Sequence, residues 1–137
     1  MGVHMRQKRQ QFGVSMIGIL AILVMVGFFA MCAIRMVPHY TEFLSVKKIV
    51  SDIVMEPETK GMSSRQIRRR IENIFNSNQI YALKAADVKI VRKRGLTYID
   101  SRYEVRMPIA WRIDAVISFN DLLMEVGKAE LLTEIPK

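Results

Sequence analysis

The chain has 137 residues, of which 21 are Lys or Arg and 13 are Asp or Glu, so its formal net charge is +8. This length allows one small folded domain with its own hydrophobic core, and the sequence contains no internal repeat, low-complexity run or second domain. The single cysteine, Cys32, excludes an intramolecular disulfide.

A long apolar run comes first in the chain. The 23 residues from Phe12 to Ile34 carry no charged side chain. As an α-helix they would be roughly 34 Å long, enough to cross a hydrocarbon core about 30 Å thick. A buried helix of a soluble domain would show a polar stripe, whereas only Ser15 and Cys32 interrupt this run. We therefore predict a transmembrane helix over residues 12–34.

A cleaved signal peptide is the open alternative to a permanent anchor. Its apolar region is usually about 7–15 residues long, and the run found here is longer. Ala30 and Ala33 nevertheless resemble a cleavage box.

Small residues in the run are candidates for contact with a second helix. No two of them stand four apart, so the run lacks a Gly-x-x-x-Gly motif. Gly27, Ala30 and Ala33 recur at three-residue steps and form a candidate contact face. The selected anchor residues are Phe12, Gly18, Gly27, Ala30 and Ala33.

The charges on either side of the run predict its orientation. Residues 1–11 contain Arg6, Lys8 and Arg9 and no acidic residue, while every acidic residue of the chain follows Arg35. Basic residues close to the membrane favour the cytoplasmic side. We expect a cytoplasmic amino terminus, a single span of a bacterial inner membrane, and an exported domain over residues 35–137.

Two amphipathic helices are predicted after the anchor, beyond an interruption or kink at Pro38. Residues 41–55 place apolar side chains at helical spacing, and Gly61 loosens the link to the next element. Ser63 and Gln66 have the spacing of a capping box at the start of the second helix, over residues 64–76. The two apolar stripes are Phe43, Val46, Ile49, Val50, Ile53 and Val54, and then Ile67, Ile71, Ile74 and Phe75.

Alternating residues then predict antiparallel strands over 88–93, 97–107 and 109–119. A charged turn ending at Gly95 joins the first two strands, and a short turn at Pro108 joins the next two. The tail is ambiguous, since Asp121 would cap a short helix ending at Gly127, while residues 130–135 would add a fourth strand or fray. We expect an α+β domain in which the helices cover one face of a three- or four-stranded meander.

No spacing typical of catalysis or cofactor binding is present. The sequence lacks metal-binding His and Cys motifs, a nucleophile elbow and a phosphate-binding glycine loop. His39 beside Tyr40 is typical of a membrane-interface residue, and Ser45 with Lys48 is an ordinary pair of exposed helix neighbours. We therefore expect no enzyme activity, no catalytic residue, no metal and no cofactor.

Two basic clusters are the strongest surface signal. Anionic lipid headgroups or a partner protein would be held by them, although a solvated helix face and a charged turn explain them equally well. Nucleic acid is not expected, because an exported domain does not meet it and no aromatic motif accompanies the arginines. The clusters are Arg65, Arg68 and Arg69 on the second helix, and Arg92, Lys93 and Arg94 in the turn.

The start of the chain resembles the leader junction of type IV prepilins. Lys8 to Gly13 form a basic leader ending in glycine, and Val14-Ser15-Met16-Ile17 begin the apolar helix. A helix followed by an antiparallel meander also resembles the pilin plan. Pilins carry a glutamate needed for assembly at the place occupied here by Gly18. The resemblance implies a pilin-like subunit of a secretion or pilus apparatus as the alternative function.

The whole chain resembles a family of single-pass gammaproteobacterial proteins, the domain-of-unknown-function family 4845. Three groups of residues carry this match. They are the basic-Gln-x-Gly-Val-Ser start that ends at Ser15, the exit Val37-Pro38-x-Tyr40 followed by Glu42, and the turn Val105-x-Met107-Pro108-Ile109 before an alternating strand ending at Phe119. Members of that family are often encoded beside signal peptidase I and ribonuclease III, which implies a link to the export machinery. Our hypothesis is a non-enzymatic membrane accessory protein that docks on another envelope protein, with signal peptidase I as a candidate.

Overall fold

The computed structural model describes residues 15–137. The chain divides into two compact units, residues 1–33 and 34–137. The elements are α1 (Met16–Met55), a 3₁₀ turn (Pro57–Gly61), α2 (Ser64–Ser77), β1 (Lys89–Lys93), β2 (Leu96–Asp100), β3 (Tyr103–Ala110), β4 (Ile113–Phe119), β5 (Leu123–Glu125) and β6 (Lys128–Leu131). The predicted α+β class is confirmed.

Helix α1 begins after Ser15, whose side-chain oxygen accepts a hydrogen bond from the Gly18 backbone amide at 3.1 Å. The predicted start at Phe12 lies outside the described residues. The predicted interruption at Pro38 is absent, because α1 continues through that residue to Met55. Proline removes only one backbone donor from this long helix. The Thr41 hydroxyl also donates to the Pro38 carbonyl at 2.9 Å.

Both predicted apolar stripes form the core of the second unit. In α1 the buried side chains are Phe43, Val46, Val50, Ile53 and Val54, and in α2 they are Ile67, Ile71 and Phe75. Ile49 and Ile74 are half-buried against the same cluster. The capping box of α2 is also present, since the Ser63 amide donates to Gln66 Oε1 at 2.7 Å and the Gln66 amide donates to Ser63 Oγ at 3.3 Å.

The predicted hairpin at the charged turn is confirmed. Strands β1 and β2 pair antiparallel up to Lys93 and Leu96, which leaves Arg94 and Gly95 as a two-residue loop. Both loop residues have positive φ, 54° and 78°, as a type I′ turn requires. Glycine supplies this conformation without strain.

The predicted strand 97–107 is divided into β2 and β3, which belong to different sheets. One sheet has the order β1-β2-β5-β6, and β3 and β4 form a separate two-stranded sheet. Ser101 lies at the division, and its amide donates to the Leu122 carbonyl at 3.0 Å instead of continuing a strand. Strand β2 is central in its sheet, and Thr97, Tyr98 and Ile99 are all buried there. The strands are antiparallel as predicted, but the meander is spread over two sheets.

The predicted turn at Pro108 is displaced to residues 111–112. Pro108 lies inside β3 opposite Asp114, next to a register irregularity before Ala110. A two-stranded sheet has two edges, so a residue without an amide hydrogen is tolerated there. The chain reverses instead at Trp111, whose φ is 42°.

The ambiguous tail forms two more strands. Leu122, Leu123 and Met124 are buried, and β5 pairs with both β2 and β6. The helix that Asp121 would have capped is therefore absent, and the added strand β6 begins earlier than the predicted range 130–135. Gly127, at φ 98°, turns the chain between β5 and β6, and its amide donates to the Val54 carbonyl at 2.8 Å.

Candidate membrane and partner surfaces

The first described segment is an apolar helix whose most apolar part is not buried by the rest of residues 15–137. Residues 16–34 of α1 span roughly 28 Å at about 1.5 Å per residue. Within residues 15–137, this helix is the one long and apolar enough to cross a membrane, and none of its most apolar 18-residue window is buried. The core helix of a soluble domain would be covered on one side. By length and composition this segment is a candidate membrane span.

The small residues of this segment leave its surface open. A Cβ atom added at Gly27 would meet no atom within 4 Å. Ala30 and Ala33 are exposed, and Gly18 lies in the first turn, where it donates to Ser15. Phe12 lies outside the described residues. The candidate contact face of Gly27, Ala30 and Ala33 is thus unoccupied by any described part of this chain.

Two backbone contacts join the basic clusters in the folded domain. Arg68 Nη2 donates to the Val88 carbonyl at 3.3 Å, just before β1. Arg92, in β1, donates to the Met62 carbonyl, just before the cap of α2. These contacts join α2 to the segment around β1 at two points. We call the six predicted cations, Arg65, Arg68, Arg69, Arg92, Lys93 and Arg94, the basic surface.

Four cations of the basic surface are free to meet another molecule. Arg65, Arg69, Lys93 and Arg94 are exposed, and no carboxylate of residues 15–137 lies within 4 Å of them. A group of unpaired cations attracts the anionic groups of a partner protein or of a lipid surface.

Arg70 follows this cluster in sequence but has a structural role. Its guanidinium lies 2.5 Å from a Glu56 carboxylate oxygen and 3.8 Å from one of Glu58. The two carboxylates on either side of Pro57 therefore fasten the 3₁₀ turn to α2. All three side chains are partly exposed, so the pairs contribute little to stability.

A second ion pair lies at the division between β2 and β3. Both terminal oxygens of Asp100 accept from the Arg102 side chain at 2.8 Å. The Arg102 hydrogen bonds hold the pKa of the Asp100 carboxyl below its usual value, against the opposing effect of burial. The same contact raises the pKa of Arg102. This pair stabilises the bend that separates the two sheets.

An aromatic cluster connects α1 to the β3–β4 sheet. The rings of Phe43 and Phe119 stack with centroids 4.5 Å apart, and Tyr103 lies 5.0 Å from Phe119. The Tyr103 hydroxyl is buried, with no hydrogen-bond partner among the described residues. Burial, with a smaller effect of the Glu42 charge, raises the pKa of Tyr103 to about 12.

Glu42 holds the loop that follows α2. Its Oε1 atom accepts from the backbone amides of Tyr81 at 2.5 Å and Ala82 at 2.8 Å. A carboxylate that accepts two amide hydrogen bonds fixes a loop firmly. Glu42 therefore has an architectural role in this domain.

Two serine hydroxyls make local hydrogen bonds within the helices, whereas His39 does not. The Ser45 hydroxyl donates to the Thr41 carbonyl at 3.1 Å, and the Ser63 hydroxyl caps α2. His39 Nδ1 is buried without a partner among residues 15–137. Across those residues, no group of three or more His, Cys, Asp or Glu side chains is placed to hold a metal ion.

Sequence reasoning missed the end of the β3–β4 hairpin. In the predicted strand 109–119, Trp111 and Ile113 alternate in step with Ile117 and Phe119, which predicts that they share one buried face, but they are 104% and 66% exposed. Arg35 donates to the Pro108 carbonyl at 2.5 Å and to the Ile109 carbonyl at 3.4 Å. A long-range contact of this kind has no local signal in the sequence.

Comparison with known protein families gives a match to the folded part of the chain. The model of a family described as a domain of unknown function (DUF4845) matches residues 35–119, which is more than half of the chain. No curated protein and no solved structure matches it. The match runs from Arg35, the residue after the apolar run, to Phe119 at the end of β4.

Proposed function

The chain belongs to the DUF4845 family, and we propose that it is a non-enzymatic single-pass membrane protein whose folded domain docks on another membrane protein. The observation that carries this proposal is an apolar helical segment of membrane length whose most apolar part is not buried by any of residues 15–137. Lipid is the environment in which such a segment is stable.

The proposal places the protein in a bacterial inner membrane. Arg6, Lys8 and Arg9 favour a cytoplasmic amino terminus under the positive-inside rule, so residues 35–137 are exported. The engagement of Ser45 and Ser63 in helix structure supports a role without catalysis.

The basic surface is the proposed docking contact. Its four free cations call for a partner with an acidic surface, and Arg68 and Arg92 fix the elements that carry them. The resemblance to the family makes the export machinery, including signal peptidase I, the candidate partner. Charge complementarity of this kind sets specificity and the association rate more than the affinity itself.

Charge reversal tests the docking contact. The tagged full-length protein is purified from native membranes in mild detergent, and its companions are quantified by mass spectrometry. We expect one stoichiometric membrane-protein companion, whose recovery falls at least tenfold in the variant Arg65→Glu/Arg69→Glu because like charges then face each other. The matched control, Lys48→Glu/Lys137→Glu, changes two exposed cations outside the basic surface and keeps the companion.

Isolation of the wild-type protein as a solitary monomer would contradict the docking proposal. Equal loss of the companion in the control variant would show that total charge, rather than the basic surface, is responsible.

A pilin-like subunit is the second proposed function. The order of elements, a long helix followed by antiparallel strands, supports it. Gly18, at the place of the pilin glutamate, stands against it. Mass analysis of the mature amino terminus separates the two proposals. Cleavage after Gly13 with a methylated Val14 would support the pilin-like function, and an intact amino-terminal tail would rule it out.

A further inference from the structure

The β3–β4 hairpin is buried at its base and exposed at its turn. At its base, Phe119 is 7% exposed and stacks on Phe43 in the core. Exposure rises toward the turn, where Ile113 is 66% and Trp111 104% exposed. We call residues 109–113 the hairpin tip. The surface of a soluble protein rarely exposes a tryptophan close to an exposed isoleucine unless another molecule covers both side chains.

The hairpin tip has the composition of a membrane-interface segment. Trp111 combines a large apolar ring with one N–H donor, and such rings concentrate at the boundary between headgroups and acyl chains. Arg112, in the hairpin tip, is exposed, and no carboxylate of residues 15–137 lies within 4 Å of its guanidinium, although the exposed Asp114 directly follows the tip. Long cationic side chains of this kind reach anionic headgroups while their stems lie on apolar surface.

Hydrogen bonds from Arg35 fix the position of the hairpin tip relative to the end of the apolar run. Arg35 is the first charged residue after the apolar run, and it donates to the carbonyls of Pro108 and Ile109. If the apolar run spans the bilayer, Arg35 lies at the boundary where the chain leaves the acyl region. The hairpin tip, bound to Arg35 through its backbone, lies at the same boundary.

We propose that the hairpin tip is a second membrane contact, in which Trp111 and Ile113 insert into the headgroup–acyl boundary of an anionic bilayer. This inference rests on the proposed membrane span but is independent of which side receives the domain. Lipid is favoured over a partner protein because Arg35 sets the tip at the lipid surface. Burial of a tryptophan removes about 150–250 Å² from water, which would anchor the folded domain against the bilayer.

The fluorescence of Trp111 tests this contact directly. Trp111 is the sole tryptophan of the chain. The full-length protein is reconstituted, at several lipid-to-protein ratios, into vesicles of phosphatidylcholine and phosphatidylglycerol. We expect a blue-shifted emission at every ratio, strong quenching by lipids brominated near the carbonyl end of the acyl chain, and at least a threefold reduction in quenching by aqueous acrylamide relative to the control variant.

The control variant, Trp111→Phe/Met55→Trp, moves the tryptophan along α1. Met55 is 54% exposed and lies 20 residues beyond Arg35 in the same helix, roughly 30 Å away along its axis. Its emission is expected to stay water-like, with free access to acrylamide and no quenching by brominated lipid.

Flotation of the same vesicles separates the two possible failures. If the protein does not float with the lipid, the proposed membrane span is wrong. If it floats but Trp111 stays water-like and open to acrylamide, the membrane span stands and the hairpin contact is overturned. If the blue shift disappears when the protein is diluted with lipid, a second copy of the chain covers Trp111. This result would also overturn the proposed membrane contact.

Discussion

Tyr103 shows how one side chain in the aromatic cluster makes stability depend on pH. Its hydroxyl is buried without a partner among the described residues, and its pKa is raised to about 12. An unfolded tyrosine has a pKa near about 10. Between these values the unfolded chain releases the proton first, so the folded state loses stability as pH rises through this window.

The variant Tyr103→Phe removes this alkaline loss. At pH 7 we expect no loss of stability, because the substitution deletes an unpaired buried hydroxyl and keeps the ring on Phe119. The free energy of unfolding in detergent, measured by circular dichroism at about pH 9 and about pH 11.5, checks the expectation. The wild type loses more stability over this interval than Tyr103→Phe.

The matched control for this experiment is Tyr81→Phe, which removes a hydroxyl from a side chain that is 78% exposed. It is expected to keep the wild-type dependence on pH. Identical losses in Tyr103→Phe and the wild type would show that Tyr103 does not carry the effect.

At the scale of elements, the helices follow from local patterns. Their apolar stripes at helical spacing and the capping box of Ser63 and Gln66 lie within a few residues of one another, so the sequence alone predicts them. The division of the strands depends on distant residues. Ser101 donates to the Leu122 carbonyl, a contact that period-two alternation cannot reveal.

The cap of α2 is open to direct measurement. In Ser63→Ala the Gln66 amide loses its side-chain acceptor, so we expect the free energy of unfolding to fall by about 1 kcal/mol. Ser64→Ala, one residue inside α2, is the matched control and should change it by less than about 0.5 kcal/mol. Denaturant unfolding of the full chain in detergent measures both. Equal stability of Ser63→Ala and the wild type would refute the contribution of this cap.

The candidate surfaces were only partly predictable from sequence. The exposure of Arg65, Arg69 and the charged turn followed from polarity and turn chemistry. The contact of Arg92 with the Met62 carbonyl joins residues 30 apart in the chain, so no local pattern predicts it. The hairpin tip was missed for the same physical reason, because alternation assigns a face to Trp111 without saying where the strand leaves the core.

At the scale of the whole molecule, the chain has two compact units with different solvent requirements. The described part of the first unit is an apolar helix with exposed side chains. The second unit has a hydrophobic core formed by helices and antiparallel strands. An uncovered apolar helix is stable in lipid, whereas the second unit carries exposed charges that need water. This contrast supports a folded domain held at a membrane surface.

The most direct test of this account is the activity of alkaline phosphatase fused to the carboxyl terminus and measured in carbonate-washed membranes. The enzyme requires disulfides, which form after export from the cytoplasm. We predict an active fusion that stays in the washed membrane pellet, because in the proposed topology one helix spans the bilayer and the domain lies outside the cytoplasm. A fusion recovered in the soluble fraction, or a membrane-bound fusion without phosphatase activity, would contradict the account.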